Sequence, residues 1–378
     1  MLEKIREEID VIDNQVVELF EKRITLAAKA GEYKNANGIP LIHPAREREI
    51  IARLTENQSD IMAGYTKILF NTVFDLSRLH QSKYGSKSSA VTKSIKHALE
   101  NTPKVFPQSA VVACQGAEGA YSQFACEKLF SRPRIMYFNS FNDVFNAVDK
   151  GLCKKGILPI ENSLQGSVTE VYDLMVKYNF YIAKSVKMKI NHALLANKGA
   201  DLSGIKEIYS HEQALSQCGD YLKSLKDVKI IECENTAVAS KMVSESERTD
   251  IAAISNPRCA DLYNLIILSN DIQKNGNNYT RFICITKELE IYPGGDKISL
   301  LFTVAHKPGA LYGIMSKFAA LGVNLTKLES RPIPDRDFEF VFYSEFEASI
   351  YSEEIIDLIS SLDSSPEAFV FLGSYNEV

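Results

Sequence analysis

Apolar residues at Ile5, Ile9, Ile12, Val16, Leu19, Leu26 and Ala30 recur in steps of four and three, and one beat is missing at Arg23. Such spacing predicts an α-helix with one continuous apolar seam. A helix over those 30 residues is about 45 Å long, too long for its seam to be covered by short neighbours. Pro44 suits the first turn of a second helix, Ala45 to about Gln58, and a third runs from about Ile61 to Tyr84, ended by Gly85. Residues 1 to 84 therefore read as all helix. Three helices of such unequal length close poorly as a single-chain bundle, so the seam predicts dimerisation through the first helix.

Arg23 sits where the seam demands an apolar side chain, and an unpaired buried guanidinium is costly. Lys34 lies eleven residues on, about 20° from the same face and about 16 Å along the axis. Arg46 and Glu47 open the second helix, while Ser77 and Gln81 share a face of the third at i and i+4. Any one of these charges could snorkel to water. As a set that interrupts an apolar seam, they predict a cation-rich pocket for a small ligand bearing carboxylates. Arg6 stands about 25 Å and about 100° from Arg23, so one chain cannot aim both at a small ligand. If Arg6 contributes, it does so to the partner's pocket.

Beyond Gly85 the chain changes character. Residues 85–109 are rich in Ser and Lys and carry Pro103 and Pro107, the marks of a linker with room for a helix over Val91–Glu100. From Ser109 to about Lys287 strand-like runs alternate with helices that follow a capping Ser140, Ser210 or Asn235. The segment Tyr181–Asn197 is long enough to cross between two lobes, which predicts a cleft. Pro293-Gly294-Gly295 precedes a last zone, 296–378, whose order is strand, helix, strand, strand, helix, strand, the ferredoxin-like order. The expected domains are thus 1–86, all-helical; a linker, 87–108; 109–290, a two-lobed α/β domain; and 296–378, α+β.

Composition narrows the function classes. With 45% hydrophobic residues disorder is excluded, and a net charge of -5 gives no nucleic-acid footprint. No apolar run approaches the roughly 20 residues of a membrane span, and the N-terminus lacks the apolar stretch of a secretory signal. The seven Cys are scattered and never in C-x-x-C spacing. The expectation is a reduced, cytoplasmic protein with no metal.

Three polar loops of the middle zone border strands: Gln115 to Ser122, with Gly116 and Gly119; Glu161-Asn162-Ser163; and Asn278 to Phe282, with Thr280 and Arg281. His211 and Asn235 follow strands and open helices, where capping alone accounts for them. Polar groups at strand ends are where open α/β sheets bind ligands.

Resemblance adds to this. From Arg6 through Lys22-Arg23, Gly31-Glu32-Tyr33-Lys34 and Arg46-Glu47 to Ser77 and Gln81, the helical zone resembles chorismate mutase. The resemblance implies rearrangement of chorismate to prephenate, a pericyclic step that needs a folded substrate and stabilised charge rather than a nucleophile or base. It assigns carboxylate binding to Arg6 of the partner, Arg23 and Arg46. Lys34 and Gln81 would donate to the ether oxygen, Glu47 would take the substrate hydroxyl, and Ser77 completes the pocket. His43 stands where many members carry Asp, which puts one ligand contact in question.

The middle zone resembles prephenate dehydratase through Gly116/Gly119/Ser122, Glu161-Asn162-Ser163, Ser210-His211-Glu212-Gln213-Ala214-Leu215 and, above all, Thr280-Arg281-Phe282. Ala117, Ala120 and Glu212 depart from the usual residues. The implied reaction is decarboxylation of prephenate with loss of water. Thr280 is the expected donor to the departing hydroxyl, with Glu161 or His211 as proton source, Arg281 for a substrate carboxylate, and Asn162, Ser163, Ser122 and Phe282 around them. The last zone resembles the ACT domain of phenylalanine-regulated enzymes in Gly309-Ala310-Leu311 and Glu329-Ser330-Arg331-Pro332, with Asn324 nearby. Side-by-side pairing and phenylalanine binding at the joint are implied. Together the three zones resemble the bifunctional chorismate mutase/prephenate dehydratase family, with no cofactor and at least a homodimer implied. The rivals are a non-catalytic sensor of aromatic acids and an enzyme with one live site.

Overall fold

The computed structural model describes residues 1–40, 43–85, 89–274, 276–333, 339–363 and 368–378. Residues 86–88, at the expected edge of the linker, lie outside them. The helical zone holds α1 (Leu2–Ala36), α2 (Pro44–Thr55) and α3 (Asp60–Gly85). Pro44 does sit in the first turn of α2, and α2 stops three residues short of the expected Gln58. α1 is longer than expected, 35 residues and so about 52 Å. It buries only Ala28 and Gly31, both in its C-terminal half. The seam residues Ile5, Ile9, Ile12, Val16, Leu19 and Leu26 are all exposed.

The expected linker contains a packed helix, α4 (Ala90–Asn101), that buries Ile95 and Ala98. Its apolar i, i+3 pair anchors it. The middle zone then runs β1 (Val111–Gln115), α5 (Tyr121–Leu129), β2 (Arg134–Phe138), α6 (Phe141–Asp149), β3 (Lys155–Asn162), β4 (Gly166–Ser167), α7 (Thr169–Tyr178) and β5 (Tyr181–Lys189). It continues as β6 (Ala193–Ala196), β7 (Glu207–Ser210), α8 (Glu212–Gln217), α9 (Gly219–Ser224), β8 (Lys229–Glu232), α10 (Thr236–Glu245), β9 (Ile251–Ser255), α11 (Arg258–Leu262), β10 (Ile266–Ser269) and β11 (Tyr279–Thr286).

Two sheets result. The first has the order β2-β1-β3-β11-β5 with β4 on β3, and the second β10-β6-β9-β7-β8. The chain leaves the first sheet between β5 and β6, where the sequence predicts a crossing. It returns through β11, which inserts antiparallel between β3 and β5. Each lobe has its own core: Val112, Cys114, Ile157, Val186 and Phe282 in the first, Leu194, Ile208, Ala252 and Ile254 in the second. All seven cysteines are free.

The C-terminal zone is β12 (Lys297–Thr303), α12 (Ala310–Ala320), β13 (Asn324–Pro332), β14 (Phe340–Glu347), α13 (Glu353–Asp363) and β15 (Phe369–Tyr375), with strand order β13-β14-β12-β15. By compactness the chain forms two units, not three: Met1–His97 with Asp296–Phe371, and Ala98–Gly295 with Leu372–Val378. α3 packs on α1 and α2 and also meets α12 and α13. Tyr312 lies against Thr72 (3.4 Å between hydroxyls), and a Cβ on Gly313 would meet an Asp75 carboxylate oxygen at 3.0 Å. The last residues of the chain belong to the two-lobed unit.

The loop between β1 and α5 locks the two lobes together. Gly119 has φ +88, and a Cβ there would lie 2.9 Å from Cys259 Sγ on α11. Tyr263 donates to the Glu118 carbonyl at 2.6 Å, and Tyr121 both donates to the Asn191 carbonyl (2.5 Å) and accepts from the Asn191 N–H (2.8 Å). Glycine is required at 119 by both its conformation and its neighbour. Gly119→Ala should destabilise the protein by about 1–3 kcal/mol in equilibrium denaturation; an unchanged unfolding midpoint would contradict this packing.

Candidate active sites

In the helical unit, α1 and α3 bring Arg23 and Ser77 together. Arg23 is half-buried, donates from Nη1 to Ser77 Oγ at 2.7 Å, and lies over the Phe74 ring, 5.3 Å from its centroid. Burial lowers its pKa and the Glu47 carboxylate partly restores it. The missing beat in the seam is thus a guanidinium held at the α1–α3 interface by a hydroxyl and an aromatic ring. Lys34 is half-buried farther along α1. Gln81 is buried and donates to the Ala27 carbonyl at 2.9 Å, packed so closely on Gly31 that a Cβ there would sit 2.9 Å from Gln81 Cγ.

Glu47, on α2, is ion-paired with Arg78, which also holds Asp75 (2.5 Å). Burial opposes the charge on Arg78, but the two carboxylates more than offset it and raise its pKa. The sequence reasoning missed Arg78. Its only signal was position, one residue past Ser77. His43 accepts the Arg46 N–H on Nδ1 at 3.1 Å and so caps α2, a physical reason for a polar acceptor there. Arg46 is exposed and pairs with Glu49 (2.8 Å). Arg6 is exposed beside Glu3 (3.9 Å), on the part of α1 that buries nothing.

In the two-lobed unit, β3 and β11 are neighbours with Thr280 opposite Asn162 and Arg281 opposite Glu161. Successive strand residues face opposite sides. Asn162 donates to Thr280 Oγ1 at 2.9 Å and to Asn278 Oδ1 at 2.8 Å. Asn278, wholly buried, donates to Gln217 Oε1 (2.8 Å), and the same oxygen contacts His192 Nε2 at 2.9 Å. Asn162 Oδ1 in turn accepts the Leu164 and Gln165 N–H groups at 3.0 and 3.2 Å. Asn162 is therefore a saturated brace rather than an open contact for a ligand. Because Thr280 Oγ1 accepts from Asn162, its own O–H is directed elsewhere and is ready to donate.

Other predicted residues take different places. Arg281 and Glu161 form an ion pair (2.8 Å) on the face away from Thr280. Phe282, past a β-bulge, is 4% exposed in the first lobe's core. Ser122 is buried and donates to the Gln115 carbonyl (2.5 Å). Ser163 donates to the Asn277 carbonyl (2.8 Å) and accepts the Tyr279 N–H (2.9 Å), bracing the loops. His211 accepts the Gln213 N–H and caps α8. So the pleat sends Glu161 and Thr280 to opposite faces of the sheet, and His211 serves as the cap of α8.

Asn278 was singled out as the start of a polar loop but given no role, although two residues along a strand return to one face and set it beside Thr280; Gln217 and His192 were missed, because they come from elements that only the tertiary fold brings near. No group of three or more His, Cys, Asp or Glu that could hold a metal occurs among the described residues, and none of their helices is long and apolar enough to cross a membrane.

In the C-terminal zone Gly309 precedes α12 with φ +80, a conformation suited to glycine. Ala310 and Leu311 form the first turn. Asn324 donates to Glu347 (2.8 Å), Glu329 pairs with Lys327 (3.6 Å), and Ser330 lies opposite Phe342. β13, which carries Asn324, Glu329 and Ser330, is the end strand of its sheet.

Comparison with known proteins places these sites in a class. Residues 5–82 match chorismate mutase type II and residues 112–290 match prephenate dehydratase. The bifunctional chorismate mutase/prephenate dehydratase of Aquifex aeolicus is 31% identical, with 99% of this chain and 97% of that protein covered. Arogenate dehydratase/prephenate dehydratase 2 of Arabidopsis thaliana is 36% identical over 70% of this chain and 72% of that one. The structure of prephenate dehydratase from Arthrobacter aurescens, in complex with L-Phe, superposes with TM-score 0.64 at 28% identity over 70% of this chain and 89% of that one. A fused mutase and dehydratase is the class so defined. The chain belongs to the bifunctional chorismate mutase/prephenate dehydratase family.

His192 is 3% exposed, and its Nδ1 has no hydrogen-bond partner among the described residues. Burial pushes its pKa below the ordinary 6.5, against a smaller pull from Gln217. The unfolded chain then takes up a proton below pH 6.5 that the folded protein refuses, so stability falls as pH drops from that value. His192→Asn should flatten the slope of unfolding free energy between about pH 6.5 and 5. An unchanged slope would contradict a buried neutral imidazole.

Proposed function

We propose that the helical domain rearranges chorismate to prephenate, that the two-lobed domain converts prephenate to phenylpyruvate, and that phenylalanine inhibits the second step. The observation that carries this reading is the Asn162–Thr280 hydrogen bond of 2.9 Å, in a chain related over its whole length to bifunctional enzymes.

In the mutase step, Arg23, Arg46 and the partner's copy of Arg6 bind the two carboxylates. Lys34 and Gln81 stabilise charge on the breaking ether oxygen, Glu47 takes the substrate hydroxyl, and Ser77 orients Arg23. Gln81 must turn from the Ala27 carbonyl to do this, and the ligand oxygen replaces that acceptor. In the dehydratase step the C–C bond to the ring carboxylate breaks. The carboxylate departs as CO2, its electron pair completes the aromatic ring, and the ring hydroxyl leaves as water with one proton taken from solvent. Thr280 donates to that oxygen. Aromaticity supplies the driving force, so the step requires no oxidant.

The assembly we propose is at least a homodimer in the cytoplasm. Ile5, Ile9, Ile12 and Val16, each about half-exposed, form a seam that a second α1 covers. The same pairing carries Arg6 to the partner's pocket. The βαββαβ run with order β13-β14-β12-β15 is the ferredoxin-like order, which supports an ACT domain. With β13 at the sheet end, a second copy can pair beside it, and phenylalanine then sits at Gly309–Leu311 against Asn324, Glu329 and Ser330. The phenylalanine-bound Arthrobacter relative supports this ligand.

The test is a cofactor-free assay. Purified protein given chorismate should consume it and release phenylpyruvate, and phenylalanine should slow the second step. Arg23→Ala should lower mutase kcat/KM by about 100-fold or more while dehydration of supplied prephenate is unchanged. A protein that binds prephenate without turning it over would be a sensor instead.

A further inference from the structure

The two-lobed unit ends in a feature that no proposed catalytic step uses. After β15 the chain runs along β5: Ser185 N–H donates to the Asn376 carbonyl (3.1 Å), Val378 N–H to Ser185 (3.0 Å), and Lys187 N–H to Val378 (3.0 Å). Ser185 and Glu377 form a parallel bridge. Lys128 Nζ adds a contact to the Val378 carbonyl at 3.3 Å. The tail thus adds a strand to the edge of the sheet whose next strand inward, β11, carries Thr280. Gly373 has φ +147 and leaves no room for a Cβ against the Ile182 carbonyl, so the backbones touch where the tail approaches.

Glu377 reaches Arg281 at 3.8 Å, on the guanidinium that Glu161 holds at 2.8 Å. Arg281 is 7% exposed, so its charge depends on these anions. Its neighbour in the chain is Thr280, on the other face of the same strand.

We infer that Glu377 is a positioning residue of the dehydratase: with Glu161 it clamps Arg281, fixes β11 and thereby the aim of Thr280. The inference rests on the dehydratase reading above. It makes turnover depend on the tail that continues directly from β15. Because Thr280 meets the leaving hydroxyl only as the bond breaks, the clamp acts on kcat more than on KM.

Three variants of the full chain test this: Glu377→Gln, Glu377→Asp and a stop after Tyr375, each assayed on prephenate and, in parallel, on chorismate. Glu377→Gln should lower dehydratase kcat about fivefold, the loss of roughly one ion pair, with KM nearly constant. Glu377→Asp should recover part of it, and mutase turnover should not move. The truncation should also speed amide exchange at Ser185 and Lys187. Wild-type dehydratase kcat and KM in Glu377→Gln would overturn the inference. So would a parallel fall of both activities with melting temperature, the mark of a folding defect. A wild-type chain that forms no phenylpyruvate would instead overturn the dehydratase reading itself.

Discussion

Everything in the two-lobed unit converges on one amide. Asn162 can donate two hydrogens and accept at one oxygen, and all are engaged: by Thr280, by Asn278, and by the N–H groups of its own turn. That saturation explains the topology around it. β11 has to come back from the second lobe to lie beside β3, because only there do Asn278 and Thr280 face Asn162 together. Gln217 and His192, from the second lobe's side, close the chain of bonds. A buried polar network of this kind is costly where a member is left unsatisfied; here Asn162 is fully engaged and fixes one geometry, while His192 Nδ1 has no partner among the described residues.

The helical unit follows a related logic with charges. Arg23 is tolerated between helices because Ser77, the Phe74 ring and nearby Glu47 compensate it. Glu47 is itself held by Arg78, so cations and anions alternate across α1, α2 and α3. In the proposed mutase step a dianionic substrate would meet an array already neutral in part, and its binding would replace protein acceptors such as the Ala27 carbonyl. The exposed seam of α1, a helix that buries only Ala28 and Gly31, is the face proposed above for a second copy of α1.

Much of this was legible in the sequence, for reasons that differ by zone. Helical periodicity marked α1 and the interruption at Arg23, because a seam of period 3.5 has no neutral way to carry a guanidinium. Alternating strands and caps marked the two lobes; Ser140 and Asn235 do cap α6 and α10, but the expected cap Ser210 donates to the Ile254 carbonyl instead and its neighbour His211 caps α8. What failed was grouping by adjacency. Thr280-Arg281-Phe282 reads as one motif, but the pleat sends Thr280 and Arg281 to opposite faces, and the same alternation returns Phe282 to the Thr280 face, where it lies in the core. Arg78, Gln217 and the tail's Glu377 were invisible because their partners are 31, 61 and 96 positions away, respectively Glu47, Asn278 and Arg281. The boundary at 296–378 likewise missed that the last residues leave their zone, since hydrogen bonding to β5 has no local signature.

The central claim is that the Thr280 hydroxyl, oriented by Asn162, donates to the oxygen that leaves. Single-turnover rates at saturating prephenate for Thr280→Val and Thr280→Ser address it directly. Valine keeps the shape and removes the donor, so its rate should fall by about 100-fold or more with prephenate affinity intact, while serine keeps most of the rate. Near wild-type turnover by the valine variant would contradict the account.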